Sequence, residues 1–248
     1  MPEKLKGELN KMGTYKFVLT GGPCGGKTES IDQFADKLTN QNYQVNITRE
    51  TANSLLELGY VPGVNVSTFD FQNLIFKIQF LKEYIAECKS EVLLCDRGLF
   101  DGLAYIGEYE FKKILEFNKV KYEDVSSTYD GVLYFRSVAH EYPSMFRKKR
   151  IYETPEIGKI RDDRCRESWK EKVIPCRYYN IQGFEKKQKV LYEALLQRLS
   201  LLKNQIVNNL ADYYDSNSFN YIYNSIEGLL NRNNIPNDIK QRTRGLIK

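Results

Sequence analysis

The residues best placed to do chemistry form one short stretch, Gly21–Thr28, which reads G-G-P-C-G-G-K-T. It fits the phosphate-binding loop pattern G-x-x-x-x-G-K-[ST] without a mismatch. Glycines let the backbone wrap closely around a polyphosphate, so that N–H groups point at its oxygens. We expect Lys27 to reach the β- and γ-phosphates and the Thr28 hydroxyl to ligate Mg²⁺. The predicted nucleotide contacts are Gly21, Gly22, Pro23, Cys24, Gly25, Gly26, Lys27, Thr28 and Glu29.

The elements around this loop are those that a phosphate site needs. Phe17–Leu19 is a short apolar run typical of a buried strand, and apolar residues recur at helical spacing after Thr28. The predicted helix would direct the positive end of its dipole at the phosphates. A chance glycine turn does not account for both flanking elements. The sequence therefore predicts binding of a nucleoside triphosphate.

Polar residues at the ends of two other predicted strands complete a candidate site. Asp96 closes V-L-L-C-D and is followed by Arg97. Ligands of open parallel sheets lie at the carboxyl ends of the strands, so we expect Asp96 beside Thr28 and the metal, with Arg97 in the same cleft. Glu50 ends the second strand and could take the proton of an acceptor hydroxyl, or only hydrogen-bond the acceptor. Each carboxylate could instead cap the helix that follows it.

Two amides on one predicted helix are candidates for reading the acceptor. The helix begins at Phe69, since apolar residues recur at i, i+3, i+4 and i+7 spacing as far as Cys88. Gln72 and Gln79 lie seven residues apart on it and share a face. An amide has both a donor and an acceptor, which suits a base or carboxamide edge. A solvated helix edge is an equally good interpretation.

The segment 147–172 is strongly basic, with ten Lys or Arg against six Asp or Glu. Residues 138–169 show no clean period, which favours a long irregular insertion. Arginines there, among them Arg161 and Arg164, would neutralise charge on a transferred phosphoryl group and exclude water. We interpret 147–172 as an Arg-rich lid; the alternative is a solvated surface loop.

The composition argues against several function classes. His140 is the only histidine, so Ser–His catalysis is not expected and His140 is interpreted as an ordinary surface or helix residue. Five cysteines without a C-x-x-C pair indicate reduced thiols, a cytoplasmic setting and no zinc site. The guanine motif N-K-x-D is absent, since 118–121 reads N-K-V-K. A net charge of +5 does not indicate nucleic-acid binding, and no apolar run approaches the roughly 18 residues of a membrane helix.

The order of elements predicts an α/β fold of the P-loop NTPase type. Apolar strands alternate with helices, which favours a parallel sheet of about five strands with helices on both faces. The predicted strands are 15–20, 43–48, 91–95, 131–135 and 177–181. The predicted parts of the chain are an N-terminal arm (1–14), one nucleotide-binding domain (15–210) and a C-terminal extension (211–248). The basic tail of the extension is interpreted as a solvated end rather than a lipid or RNA contact.

Over about residues 15–202 the chain resembles the AAA-type nucleotide-binding domain shared by the TRP-like translocation-defect protein and the ribosylnicotinamide kinase part of NadR. The matching motifs are 21–28, Glu50, Phe71-Gln72 with Gln79, L-C-D-R-G-L-F-D at 94–101, Tyr129-Asp130, Arg150-x-x-Glu153, Asp162, Trp169, Asn180 and Phe184. The Phe-Gln…Gln helix and the Asp-Arg step are also similar to deoxynucleoside kinases, in which these positions bind base and sugar. The resemblance implies a nucleotide contact at Asn180, although Tyr179 stands where the family often has Asp.

These observations together predict a nucleoside-kinase-like protein that binds ATP or GTP with Mg²⁺. The leading expectation is transfer of the γ-phosphate to the hydroxyl of a small acceptor, such as a nucleoside or nicotinamide riboside. A nucleotide-dependent regulator that acts slowly through a lipid or protein partner is the alternative. A polynucleotide end kinase is a third option, which would need a basic strand-binding groove.

Overall fold

The computed structural model describes residues 14–149, 154–170, 176–178 and 183–213. The chain divides into two compact units, Met1–Leu199 and Ser200–Lys248. Of the second unit, the described part is the helical stretch 200–213. The predicted arm before residue 14, the sites at Arg150, Glu153, Tyr179 and Asn180, and the extension after residue 213 lie outside the described residues.

Five strands form one sheet, and they alternate with helices along the chain, as the sequence predicted. The strands are β1 (Tyr15–Thr20), β2 (Val45–Thr48), β3 (Val92–Asp96), β4 (Gly131–Tyr134) and β5 (Cys176–Tyr178). Their order is β2-β3-β1-β4-β5, and every neighbouring pair is parallel. In register, Leu19 pairs with Asp96 and Thr20 with Tyr134. The polar residues that follow these strands therefore meet at one edge.

Helices connect the strands and cover the sheet. They are α1 (Lys27–Thr39), α2 (Thr51–Glu57), α3 (Thr68–Glu87), α4 (Leu103–Phe117, after a 3-10 helix at Leu99–Gly102), α5 (Tyr122–Ser127), α6 (Val138–Glu141), α7 (Pro143–Lys149), α8 (Pro155–Lys170) and α9 (Phe184–Tyr213). Successive residues of a strand point to opposite faces, so the complete burial of Phe17, Val18 and Leu19 requires both faces of β1 to be covered. The predicted α/β class is confirmed.

The segment expected to be irregular, 138–169, contains the helices α6, α7 and α8, so that prediction is wrong for the residues described there, and α8 is a regular, packed helix. The buried residues of α8 recur at helical spacing, and Asp162, Cys165 and Trp169 are all fully buried. Trp169 packs edge-on against Phe100 and Tyr129 in the main hydrophobic core. The sequence did not reveal this helical period for two reasons. Lys and Arg are abundant in the segment, and the buried face itself includes the carboxylate of Asp162.

The helix α3 has the predicted span but buries an unexpected face. Its buried residues are Phe71, Gln72, Phe76, Gln79 and Glu83. The apolar residues Ile78, Leu81 and Ile85 are 37%, 57% and 53% exposed. The more polar face of α3 packs inward because it meets charged and hydroxyl groups at the sheet, which are described below.

Candidate active site

The loop between β1 and α1 forms a cradle that only glycine permits at its turns. Gly21 and Gly26 have φ values of 129° and 87°. A Cβ on Gly21 would lie 2.1 Å from the carbonyl oxygen of Phe135. These positions therefore need glycine for conformation and for close approach. The loop opens onto a cavity of about 340 Å³ lined by residues 23–29, Glu50 and Arg97.

Lys27 is buried in this cradle and is bonded to the backbone of its own loop. Its Nζ donates to the carbonyl oxygens of Gly21 at 3.1 Å and Gly22 at 2.7 Å. Burial lowers the pKa of Lys27, and the neighbouring Arg97 guanidinium lowers it further. The ammonium is thus held at the cavity wall by two neutral acceptors, which an anionic phosphate would outcompete.

Thr28 and Asp96 are brought together as predicted. The Thr28 hydroxyl donates to Asp96 Oδ2 at 2.8 Å. Asp96 Oδ1 is buried and accepts no hydrogen bond from any described residue. Burial raises the pKa of Asp96, and Lys27 partly opposes this effect. The capping alternative does not hold, since the N-cap position of the following 3-10 helix is Gly98.

This pair fits a magnesium site of the phosphate-loop kind. A hydroxyl and an unpartnered carboxylate oxygen are hard oxygen ligands, and Mg²⁺ in such sites takes its other ligands from phosphates and water. Within the described residues there is no group of three or more His, Cys, Asp or Glu side chains that could hold a metal alone. The residues present therefore suit a metal that arrives with a nucleotide.

Glu50 and Arg97 form an ion pair across the mouth of the cradle. Arg97 Nε donates to Glu50 Oε1 at 2.6 Å. The same guanidinium donates to the Gly21 carbonyl at 3.2 Å and lies 3.4 Å from Asp101 Oδ1. Glu50 occupies the N-cap position of α2 but makes no capping hydrogen bond. The capping interpretation of Glu50 is therefore wrong, and the carboxylate faces the cleft.

A larger cleft of about 710 Å³ adjoins the cradle. The two cavities share three lining residues, Pro23, Glu50 and Arg97. The cleft is further lined by apolar residues (Leu56, Val61, Phe71, Ile75, Ala104), by polar ones (Asn53, Thr68, Gln72, Tyr105) and by Arg161 and Arg164 of α8. The Arg161 guanidinium carbon lies 5.8 Å from the centre of the Tyr105 ring. Most of the predicted site residues that the structure describes therefore line these two adjoining cavities, whereas Gly21, Gly22 and the buried Asp96 do not line either of them.

The two predicted amides differ in their surroundings. Gln79 lines the cleft, but its amide is engaged internally: Oε1 accepts from Thr51 at 2.6 Å, and Nε2 donates to Glu83 at 2.8 Å and to the Arg97 carbonyl at 3.3 Å. Gln72 is buried at the cleft wall, and no hydrogen bond to a described residue occupies its amide. Both side chains are buried, so the alternative of a solvated helix edge is wrong, and the amide of Gln79 is already hydrogen-bonded within the protein.

Sequence reasoning gave no role to Asp101 or Asp162, although both stand in motifs that it quoted. Asp101 is buried, accepts from Thr20 Oγ1 at 2.5 Å and from Gly98 N at 2.7 Å, and lies beside Arg97. Burial raises the pKa of Asp101. His140 lies in a helix, as one of the two predicted alternatives had it, but it is not a surface residue, because its side chain is only 14% exposed and lies near Asp162. The sequence signal that could have identified Asp101 and Asp162 was the spacing of acidic residues within L-C-D-R-G-L-F-D and R-D-D-R.

A third cavity, of about 280 Å³, lies on the other side of the phosphate loop. It is lined by the loop residues Cys24, Gly25, Gly26 and Glu29, by Val138, Glu141, Tyr142 and Met145, and by Gly183, Phe184 and Lys187. A Cβ on Gly26 would lie 2.3 Å from the Phe184 ring. A flat ring next to the phosphates would find aromatic and aliphatic partners here.

The fold and loop define this chain as a P-loop nucleotide-binding protein of the α/β class. The model of the AAA domain family matches residues 16–187, and the chain belongs to that family. A comparison with curated proteins gave no match.

A comparison with solved structures found similar chains, one of which has a TM-score above 0.5. A thymidylate kinase from Ehrlichia chaffeensis aligns with a TM-score of 0.51 at 14% identity, over 75% of this chain and 99% of the other. A deoxyadenosine kinase from M. mycoides, solved with bound dATP, aligns with a TM-score of 0.48 at 18% identity over the same shares. At 14% identity the first likeness is one of fold. None of the helices within the described ranges is both long and apolar enough to cross a membrane.

Proposed function

We propose that this protein is a Mg²⁺-dependent kinase that transfers the γ-phosphate of ATP or GTP to the hydroxyl of a small acceptor. The observation that carries the proposal is that the phosphate cradle and the 710 Å³ cleft adjoin, with Pro23, Glu50 and Arg97 in the lining of both. A cradle alone would suit any nucleotide-binding protein. A second cleft beside the cradle suits a second substrate.

On the nucleotide side, the loop N–H groups and Lys27 bind the phosphates in this proposal. Thr28 and Asp96 would hold the magnesium ion, which when bound neutralises charge on the β- and γ-phosphates. Lys27 would exchange the carbonyls of Gly21 and Gly22 for phosphate oxygens. The base would occupy the 280 Å³ cavity beside Phe184, with Asn180 as a further contact.

On the acceptor side, Glu50 receives the proton of the attacking hydroxyl. Arg97 orients Glu50 through the 2.6 Å hydrogen bond and leaves Glu50 Oε2 directed elsewhere, at present toward Asn53 Nδ2 at 3.1 Å. Arg161 and Arg164 stabilise the charge of the transferred group. Gln72 binds the acceptor, and Gln79 supports Arg97 through its backbone carbonyl.

We further propose that the acceptor is of the nucleoside or nicotinamide riboside type. The cleft volume suits a sugar with a planar ring, and its wall combines Phe71 and Ile75 with the amide of Gln72. The resemblance to the ribosylnicotinamide kinase part of NadR supports this choice. The finer domain limits remain part of the proposal: a catalytic domain over 15–210, with 147–172 covering the cleft as a lid, and a cytoplasmic setting inferred from the cysteine pattern.

The proposal is tested by incubating the protein with γ-labelled ATP or GTP, Mg²⁺ and a panel of nucleosides, nicotinamide riboside and short RNA. We expect label to move to one small acceptor faster than to water. The Lys27→Ala variant is the control, since it removes the phosphate contact. If label moves only to water, and slowly, the kinase assignment fails and a slow nucleotide-hydrolysing regulator is the better description. Transfer to short RNA would instead indicate a polynucleotide end kinase.

A further inference from the structure

The carboxylate of Asp162 joins the helix α8 to the phosphate loop. Asp162 is fully buried. Its Oδ1 accepts the backbone N–H of Gly22 at 2.5 Å, and its Oδ2 accepts the hydroxyl of Tyr134 at 2.6 Å. His140 Nε2 lies 3.2 Å from the same Oδ2.

The contact between Asp162 and Gly22 is specific on both sides. A Cβ on Gly22 would lie 2.6 Å from Asp162 Cβ and 2.7 Å from Oδ1, so only glycine allows the approach. A buried carboxylate is costly unless hydrogen-bond donors surround it. Here the donors come from the loop and β4, with the imidazole of α6 alongside. One side chain of α8 is therefore hydrogen-bonded to both the phosphate loop and β4.

The peptide groups of Gly22 are held by two charged residues at once. Its N–H donates to Asp162, and its carbonyl accepts from Lys27 Nζ at 2.7 Å. If Lys27 binds a phosphate instead, as the proposed function requires, its hydrogen bond to the Gly22 carbonyl is lost. The hydrogen bond from the Gly22 N–H to Asp162 then remains, together with those that Arg97 and Ser137 donate to the carbonyls of Gly21 and Pro23 on either side.

We propose that Asp162 is a positioning residue, which keeps the phosphate loop and the arginines of α8 in one preformed arrangement. Arg161 precedes it directly, and Arg164 lies two residues further along the same helix, so a helix fixed at Asp162 fixes both arginines relative to the cradle. This inference rests on the proposed nucleotide site.

The experiment compares Asp162→Ala with Asp162→Asn and with Asp163→Ala as the matched control on the same helix. Asp163 is 54% exposed. We measure the dissociation constant of Mg²⁺-ATP by titration calorimetry, and the rate at which trypsin cuts after Arg161 and Arg164 without nucleotide. Asp162→Ala should weaken nucleotide binding about tenfold, because it orphans the buried Gly22 N–H, and should speed cleavage. Asp162→Asn should change nucleotide affinity and cleavage rate much less than Asp162→Ala does, since the Oδ1 of the asparagine can accept the Gly22 N–H. Asp163→Ala should change neither the affinity nor the cleavage rate.

A double-mutant cycle keeps the inference testable if Asp162→Ala does not fold. Gly22→Ala forces a methyl against Asp162 and should weaken binding, whereas the shorter side chain of Asp162→Ser should weaken binding alone but relieve part of that clash, so that the two changes combine non-additively. Unchanged nucleotide affinity and unchanged cleavage in Asp162→Ala, or full additivity in the cycle, would overturn the inference. If the unaltered protein binds no nucleotide, the proposed function fails instead, and the cleavage comparison without nucleotide still decides whether Asp162 fixes α8.

Discussion

At the scale of single residues, the candidate site contains groups that are fixed in position but keep the capacity to bind a ligand. Lys27 is bonded to two carbonyls that a phosphate can replace, and Asp96 keeps one buried oxygen without a described partner. A stability-optimised protein would pair or remove such groups, because an unpaired buried oxygen costs about 1–3 kcal/mol. Their retention is the residue-level argument for a bound nucleotide and metal.

The first prediction concerns Lys27 and Thr28. Lys27→Ala and Thr28→Ala should each reduce phosphoryl transfer about 100-fold or more, because they remove a phosphate contact and a metal contact. Neither change removes core packing, so circular dichroism and thermal melting should show a folded protein. Full turnover and unaltered nucleotide affinity in both variants would contradict the central assignment.

The second prediction separates the two carboxylates. Asp96→Asn should raise the Mg²⁺ concentration needed for nucleotide binding, because it weakens a metal ligand. Glu50→Gln should leave nucleotide affinity unchanged and lower turnover about 100-fold, as expected when a general base is lost. Calorimetry across a Mg²⁺ series and single-turnover transfer assays distinguish the two.

The opposite pattern would exchange their roles. Loss of nucleotide affinity in Glu50→Gln, together with unchanged Mg²⁺ dependence in Asp96→Asn, would place Glu50 on the metal. Glu123→Gln on α5 serves as a control for the removal of a carboxylate, since Glu123 is exposed and borders none of the three cavities described above.

At the scale of elements, the sequence predicted the structural features that depend on residues close to one another in the chain. The strand–loop–helix unit and the positions of Glu50, Asp96 and Arg97 at strand ends follow from local pattern and from the rule that parallel strands end at one edge. The burial of Asp101 and Asp162 did not follow, since their partners Thr20 and Gly22 are 81 and 140 residues away in sequence.

Helix α3 shows why apolar spacing predicts a helix but not its buried face. Gln79 and Glu83 turn inward because Lys16, Thr51 and Tyr129 provide matching partners at the sheet: Tyr129 donates to Glu83 at 2.9 Å, and Lys16 lies 3.2 Å from it. None of these partners is adjacent in sequence. Burial raises the pKa of Glu83, with Lys16 opposing the rise, so the cost of the inward carboxylate is offset by a network that sequence periodicity does not reveal.

The third prediction tests this orientation of α3. Phe76→Ala, at a residue only 3% exposed, should lower the free energy of unfolding by about 3–5 kcal/mol. Leu81→Ala, at a residue 57% exposed, should change it by only about 0.5 kcal/mol. Urea denaturation of both variants measures the difference. Equal losses would mean that the apolar face of α3 is covered in solution.

At the scale of the whole molecule, the arrangement of cavities bears on the class of function. A kinase must exclude water from the γ-phosphate, whereas a nucleotide-dependent regulator needs no second substrate. Here the cradle adjoins a second cleft, which is walled by α2, α3, α4 and α8. A second cleft suits transfer to an acceptor, and the two arginines of α8 are the part of its wall that we expect to act in the transfer itself.

The last prediction therefore concerns Arg161 and Arg164. Both line the cleft, whereas Arg166 on the same helix lies outside the cleft lining and near Asp163 and Glu167. Arg161→Ala and Arg164→Ala should each slow transfer of label to the acceptor about tenfold or more, because the charge of the transferred group loses a partner. Nucleotide affinity should change much less, and the share of label lost to water should rise. Arg166→Ala is the matched control and should behave like the unaltered protein. A loss of nucleotide affinity equal to the loss of transfer would mean that these arginines bind the nucleotide in its ground state, and the assignment of the cleft to an acceptor would lose its support.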